Sequence, residues 1–557
     1  MRVLDAKGLV GVVLAVAALA CGPRAGAATH YVSPGGSAQG EGTRAKPFSV
    51  SHVLTAGELR AGDEVVFLDG VYKGGLSITT TGTEKAPIVY RAENRHKAII
   101  DGGTPLAGWR PVAGEKGVWA CRAEKAPQRL LVNGEGLIPA SSRWRRDGKK
   151  TLDEGMFVCE KLEKDALSLE EKRGGVIVRI RPWAGQELKE VYAVSGTLVS
   201  IGGAYNVVDG FVIRRGHTGV HIKGKAVHTY KHEAGTYRDL AGLAHNAYGC
   251  YNVLRHCIVR DMVGQGMTTN ESRFNLIEDC VIYNAGMGQG DHGIYVSQGA
   301  ENLTLRRNIW WRTSGGAIHI YSGSGSDSPR NIVVERNIFG PDKRNRCFPI
   351  KNRKSCALYV WGGSRWAGHN RIVHNLIIGP HDRAISLHRC HFNLIAHNTF
   401  LGSDGAPIQI GNSMGNLIAN NILEYAPGGQ EPGCQPHPTG YIHFLDEERA
   451  PGLSRCRNNL LLPRGEHGKA IPDWMESSKL ATGDPFVDRG RFDFRLKPDA
   501  GAIDLGIAIP NLVRQPQGKA PDAGALELGD DIYGPKGRFP TIPQWLLDEW
   551  PLSKRGR

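Results

Sequence analysis

The chain has 557 residues, 22% of them charged and 41% hydrophobic, with a net charge of +14 and an isoelectric point near 9.2. That balance excludes wholesale disorder, and 73 glycines without a Gly-X-Y period exclude collagen and favour a turn-rich all-β chain. The basic excess favours polyanionic partners, but it is spread along the chain with no long Lys/Arg run, which argues for acidic polysaccharide over nucleic acid.

In chain order, residues 1–27 read as a secretory signal. Arg2 and Lys7 make a positive start, Leu9 to Ala20 is a short apolar run, and Ala25-Gly26-Ala27 is a cleavage site. Cys21, preceded by Ala18-Leu19-Ala20, offers lipoprotein processing as the alternative. The expectation is a secreted or periplasmic protein with no transmembrane segment. Beyond Cys21, an even set of cysteines in an exported chain permits disulfides. Cys347 with Cys356 and Cys434 with Cys456 are candidate pairs, and connectivity stays open. No C-x-x-C or H-E-x-x-H occurs, so no metal site is expected.

Residues 28–104 begin a repetitive β structure. Residues 105–195 interrupt it with Trp109, Trp119, Leu131-Val132-Asn133-Gly134 and Val176-Ile177-Val178, and read as a small β-rich insertion. Residues 196–465 then repeat two phrases. One is a short apolar strand closed by Asn: Leu305-Arg306-Arg307-Asn308-Ile309, Val334-Glu335-Arg336-Asn337-Ile338, and copies around Asn375, Asn398, Asn421 and Asn459. Phe211, Cys257 and Cys280 hold the Asn place in earlier copies. The Asn spacings are 29, 38, 23, 23 and 38 residues, so the basic turn is 23 and longer gaps are insertions. The other phrase is a small residue followed by alternating apolar positions, as in Gly293-Ile294-Tyr295-Val296, Ala317-Ile318-His319-Ile320 and Ala357-Leu358-Tyr359-Val360. Period two marks half-buried strands. Short strands on a minimum period of 23 predict a parallel β-helix, whose stacked coils share one core. The repeated Asn predicts a ladder of side-chain amides at one bend. Residues 225–249 form a second insertion with His228, His232 and His245. Residues 466–529 close the helix, and 530–557 form a tail.

Several segments carry a family likeness. The opening has Thr29-His30-Tyr31-Val32-Ser33-Pro34, Gly42-Thr43, Lys46-Pro47-Phe48, Gly62-Asp63-Glu64-Val65, Asp69-Gly70-Val71-Tyr72, Ala86-Pro87-Ile88 and Ile99-Ile100-Asp101-Gly102. Asp484-Pro485-Phe486, Phe494-Arg495-Leu496 and Ala525-Leu526-Glu527 close it. In these the chain resembles the secreted right-handed parallel β-helix proteins of the pectate-lyase-like superfamily, which hold polysaccharide lyases and glycosidases. The resemblance covers nearly all of the exported chain. It implies an all-β right-handed solenoid and leaves the reaction open, because one scaffold hosts many chemistries.

In the second phrase the residue between the apolar ones points outward. Stacked coils therefore present one row of His221, Thr268, Tyr295, His319, Tyr359, Ser386, Gln409 and His443. A neighbouring row holds Lys223, Asn270, Ser297, Tyr321, Trp361, His388, Gly411 and Leu445, with Asp291, His292 and Arg389 at the flanks. Aromatic faces stack on sugars, and His and Tyr move protons. A glycosidase needs two facing carboxylates, which the middle of these rows lacks. A uronate lyase needs a cation for the substrate carboxylate, a base and an acid. The expectation is an enzyme cleaving an acidic, uronate-containing polysaccharide by β-elimination. His319 is its base and Tyr295 or Tyr359 its acid. Arg389 with His292 holds the carboxylate, and Trp361, Tyr321, Lys223, His221, His388 and Asp291 bind the polymer. A β-helix glycoside hydrolase, a C5-epimerase and a non-catalytic polysaccharide-binding protein are the alternatives. Asp291-His292 faintly resembles the acid-and-histidine motif of such epimerases. No cofactor is expected. Calcium, common among pectate lyases, finds no Asp-rich cluster here. The chain is expected to be a monomer. The row His256, Asp279, Arg307, Arg336, His374 and His397, one residue before the Asn ladder, is expected to be a solvated face.

Overall fold

A computed structural model describes residues 26–51, 59–140, 152–161, 175–183, 185–224, 248–287, 290–321, 328–342, 356–362, 367–428, 439–445, 454–510, 512, 516–533 and 537–549. Residues 1–25 of the signal segment, His228, His232, His245, Cys347 and Cys434 lie outside these residues. No helix among them is long and apolar enough to cross a membrane.

Three all-parallel sheets of 13, 12 and 10 strands run the length of the coil. One turn shows the plan. Thr304–Arg306 lies in the first sheet, Ile309–Trp311 in the second and Gly316–Tyr321 in the third, after which the chain returns to the first at Val333–Glu335. Leu305 then pairs with Val334, and Val334 with Ile372, so like stacks on like. The stacked inward residues form one continuous core that runs from Val32 to Met475 and includes Trp310, Phe339 and Phe400.

The bend between the first and second sheets explains the Asn phrase. Its first residue adopts a left-handed backbone in successive coils (Arg307 φ 55, Arg336 φ 54, His374 φ 56, His397 φ 53), and the Asn that follows fills the corner. Asn308, Asn337, Asn375, Asn398, Asn421 and Asn459 are all fully buried. From Asn308 to Asn421 each backbone N–H donates to the next amide oxygen, at 2.9 Å from Asn375 to Asn398 and 2.9 Å from Asn398 to Asn421, and the Asn459 N–H ends the ladder on Ser478 Oγ at 3.2 Å. The Asn Nδ2 groups donate to coil carbonyls, as from Asn398 to Ile372 at 2.8 Å. A second ladder at the opposite corner links Asn206, Asn252 and Asn275, and again Asn370, Asn393 and Asn416.

The residue before the Asn is not a solvated face. His397 is 1% exposed and its ring meets the Asp522 carbonyl at 3.1 Å. Arg307 pairs with Asp279 and donates to the Gly537 carbonyl at 2.7 Å, and His374 is buried against His397. The cause is the C-terminal segment. It packs Phe486, Phe492, Leu505, Phe539 and Leu546 over the outer face of the second sheet, against Tyr283, Trp311, Ile338, Leu376 and Leu460. With both faces covered, second-sheet strands read as unbroken apolar runs such as Leu460–Leu462.

From Thr104 to Val194 the described strands form a separate eight-stranded sheet with mostly antiparallel pairings around Leu130, Leu137, Phe157 and Ile180. It docks on the coil through Leu131 and Met156 against Val263 and Met287, and through an ion pair of Glu135 with Arg312 at 2.6 Å. Cys456 is a buried, unpaired thiol inside the coil, pushed up to about 12 by burial. Cys434, the other half of that candidate pair, lies outside the described residues.

Candidate active site

The third sheet places the outward rows in the expected register. Thr268 pairs with Tyr295, Tyr295 with His319, His319 with Tyr359 and Tyr359 with Ser386. Ser297, Tyr321, Trp361 and His388 follow two residues on. Alternation does the rest: Ile294, Ile318 and Leu358 are fully buried, while Tyr295, His319 and Tyr359 stay half-buried on the outer surface.

Five side chains converge there. The His319 ring lies 5.2 Å from Tyr295, 4.9 Å from Tyr359 and 5.4 Å from Tyr321, centroid to centroid. His292 approaches from the turn before the Tyr295 strand, and its Nε2 shares a hydrogen bond of 2.8 Å with His319 Nδ1. Gly293 permits the close stacking of these coils. A Cβ at that position would fall 2.5 Å from the Ala317 carbonyl and 2.9 Å from the Trp310 ring. Trp361 extends the surface, 5.6 Å from Tyr321 and 5.5 Å edge-on from His388.

The site is electrically quiet. Burial lowers the His319 pKa to about 3. Burial, then the neighbouring His319, holds His292 well below the ordinary histidine value, with the Gly315 carbonyl acting the other way. Both imidazoles are therefore neutral at pH 7, and one proton lies between them. His319 Nε2 is shielded from solvent and has no hydrogen-bond partner among the described residues. Burial raises the Tyr295 phenol to about 12. Burial raises Tyr359 to about 12 as well, with Cys356 and Tyr321 acting in the same direction and Arg383 opposing them. The site thus holds a shielded imidazole lone pair or N–H between two protonated phenols. Such a set can take a proton and return one.

The remaining candidates divide. His292, expected from the sequence to help hold a substrate carboxylate, is 4% exposed and lies behind His319, with burial holding its pKa well below the ordinary histidine value. Its ring meets His319 Nδ1 from behind. Asp291 accepts from the Met287 N–H at 3.1 Å and shapes the same turn. His221 bonds Asn270 at 2.6 Å, and Lys223 is exposed. Both stand two coils from Tyr295, roughly 10 Å away along the stack. Arg389 is exposed at the far end of its strand. Arg383, the first residue of that strand, was not singled out by sequence, since it falls one position before the small residue that opens the repeated phrase. Among the described residues no group of three His, Cys, Asp or Glu side chains could hold a metal ion. A cavity of about 650 Å³ between the insertion sheet and the coil is lined by Tyr192, Arg214, Arg215, Arg260 and Asp261, and by none of the His–Tyr cluster.

Known proteins support the architecture. A family described as right handed beta helix region matches residues 190–339. A stretch of 73 residues is 37% identical to the uncharacterized protein YwoF of Bacillus subtilis (strain 168) and covers 13% of this chain. The match spans only 15% of that protein's length. The solved pectate lyase Pel9A aligns with a TM-score of 0.50 at 13% identity, over 90% of this chain and 96% of that one. XylC, solved in complex with xylose, aligns with a TM-score of 0.45 at 13% identity, over 81% and 82%. At 13% identity the likeness to Pel9A concerns the fold. With its three parallel sheets and its stacked Asn corners, this chain is a right-handed parallel β-helix protein.

Proposed function

We propose that the protein is an extracytoplasmic enzyme that cleaves an acidic, uronate-containing polysaccharide by β-elimination on the third sheet. One observation carries this reading. His319, neutral and hydrogen-bonded from behind by His292, stands between two protonated tyrosines on a surface continued by Tyr321 and Trp361. The sugar rings of the polymer stack on Tyr321 and Trp361. With His319 Nδ1 donating to His292, the Nε2 lone pair takes the proton from C5, beside the carboxylate. The electron pair forms the C4–C5 double bond, the C4–O bond breaks, and Tyr295 or Tyr359 donates its phenolic proton to the leaving oxygen. No carboxylate lies between Tyr295 and His388 in either outward row, which disfavours a glycosidase working from these rows. The same absence suits an anionic substrate that brings its own negative charge. Lys223, His221, His388 and Arg389 meet the polymer outside the reacting sugar, and the net charge of +14 draws it in.

The test is turnover by the purified chain on alginate, pectate and chondroitin, with xylan and arabinan as neutral controls. Ultraviolet absorbance of unsaturated uronate and new reducing ends are both read, and His319→Ala is run in parallel. Absorbance on one acidic polymer, reduced at least about 100-fold in the variant, is the expected outcome. Reducing ends without absorbance would mean hydrolysis. Proton exchange at C5 without chain cleavage would mean epimerisation. Binding without turnover would leave a polysaccharide-binding protein.

A further inference from the structure

Arginines on the coil are accompanied by acids. Arg214 and Arg215 meet Asp101, Arg255 meets Asp209, Arg306 meets Glu278, and Arg330 meets Glu301. Arg336 and Arg383 break the pattern, and of the two only Arg383 stands on a strand of the third sheet. Among the described residues it forms no ion pair and no hydrogen bond, and its Nε is shielded from water without a partner. A guanidinium partly withdrawn from water with no counter-ion is unfavourable. Such an arrangement becomes favourable when an anion arrives.

Its position says which anion. Arg383 opens the strand Arg383–His388, which stacks on the Tyr359 strand with Arg383 in register with Cys356, and its charge works against the burial that raises the Tyr359 phenol. Tyr359 in turn lies against His319. The carboxylate of a uronate is bonded to the carbon that loses the proton. The cation that neutralises it must therefore stand within one sugar's width of the base. Ser386 stacks on Tyr359, so Arg383 and Arg389 stand three residues to either side of the row, each roughly 10 Å along the strand; Arg389 is exposed, whereas the Nε of Arg383 is shielded from water.

Resting on the eliminative reading above, we propose that Arg383, rather than Arg389, receives the carboxylate of the reacting uronate and makes the site selective for the free acid over its ester. A planar guanidinium holds a carboxylate through paired N–H donors. The same charge stabilises the carbanion that forms when C5 loses its proton, as electron density moves onto the carboxylate oxygens.

The experiment compares the wild-type chain with Arg383→Ala, Arg383→Gln, Arg383→Lys and Arg389→Ala. The substrates are pectate, alginate and chondroitin, each also carboxyl-esterified, and kcat, KM and melting temperature are read. On the acidic polymer that the wild type cleaves, Arg383→Ala is expected to lose about 100-fold or more, mainly in kcat. Arg383→Lys should recover about tenfold of that, while Arg389→Ala, which touches the polymer outside the reacting sugar, should act on KM rather than on kcat. On the esterified polymer wild type and Arg383→Ala should be equally slow. A purely structural role for Arg383 would not produce that convergence. Arg383→Gln keeps the buried stem and serves if the alanine variant melts early. Wild-type kcat and an intact preference for acid over ester in Arg383→Ala and Arg383→Gln would overturn the role of Arg383 while leaving the eliminative reading standing. A wild-type chain that cleaves none of the acidic polymers would overturn both.

Discussion

His319 is a neutral group held in a place where protonation is costly. Its pKa lies near 3 in the fold and near 6.5 in an unfolded chain. Between those values the unfolded state binds more protons, so stability is fully present above about pH 6.5 and is lost as pH falls towards 3. Replacing His319 with Gln should flatten that acid limb, which removes roughly 2–4 kcal/mol in the wild type. Urea unfolding at pH 4 and pH 7 reads the difference, and an unchanged limb would mean His319 is not the group. The same numbers set the pH profile of the free enzyme. With an imidazole near 3 and phenols near 12, kcat/KM should be level from about pH 5 to 10. A bell centred near neutrality would contradict the assignment of base and acid. At this scale the sequence was only partly legible. Alternation put Tyr295, His319 and Tyr359 on one surface. It could not show that His292 reaches His319 from a turn, because turns have no fixed side-chain direction. It also could not distinguish Arg383 from Arg389, since both flank the same strand.

The coil's unit of cohesion is the corner as much as the strand. Asn398 accepts from the backbone N–H and Nδ2 of Asn375, and donates to the Ile372 and Ala396 carbonyls and to Asn421. Truncating Asn398 to Ala leaves these buried groups unpaired and should destabilise by roughly 2–5 kcal/mol. Asn398→Asp should be at least as harmful, since a carboxylate cannot donate to the carbonyls. Denaturant titration checks both, and a loss below about 1 kcal/mol would mean the ladder is not cooperative. This first ladder could be read from sequence because the Asn recurs beside an apolar strand at spacings of 23, 29 and 38 residues. The opposite ladder was missed although Asn252-Val253-Leu254, Asn275-Leu276-Ile277 and Asn393-Leu394-Ile395 carry the same signal. There the Asn opens the strand, where it reads equally well as a turn residue.

On the scale of the molecule the coil is clamped along one side. The C-terminal segment leaves the last coils near Phe486 and returns along the second sheet. It crosses Asn420 at Ile507, Arg307 at Gly537 and Tyr283 at Trp545. The final helix, Gln544–Glu549, buries Leu546 completely. Sequence periodicity could not reveal this cover, because the segment has no repeat and its partners lie 87 to 230 or more residues earlier. A parallel coil gains stability from neighbouring coils, and a strap joining coils far apart in the stack makes them unfold together. Leu546→Ala should therefore cost about 2–5 kcal/mol and lower the melting temperature by a few degrees. The loss should appear as early exchange of second-sheet amides around Tyr283 and Trp311. The strap packs on the second sheet and the His–Tyr cluster lies on the third. Turnover per folded molecule at 25 °C should thus stay at the wild-type level. A variant that keeps its stability but loses turnover would mean that the strap reaches the site through the coil.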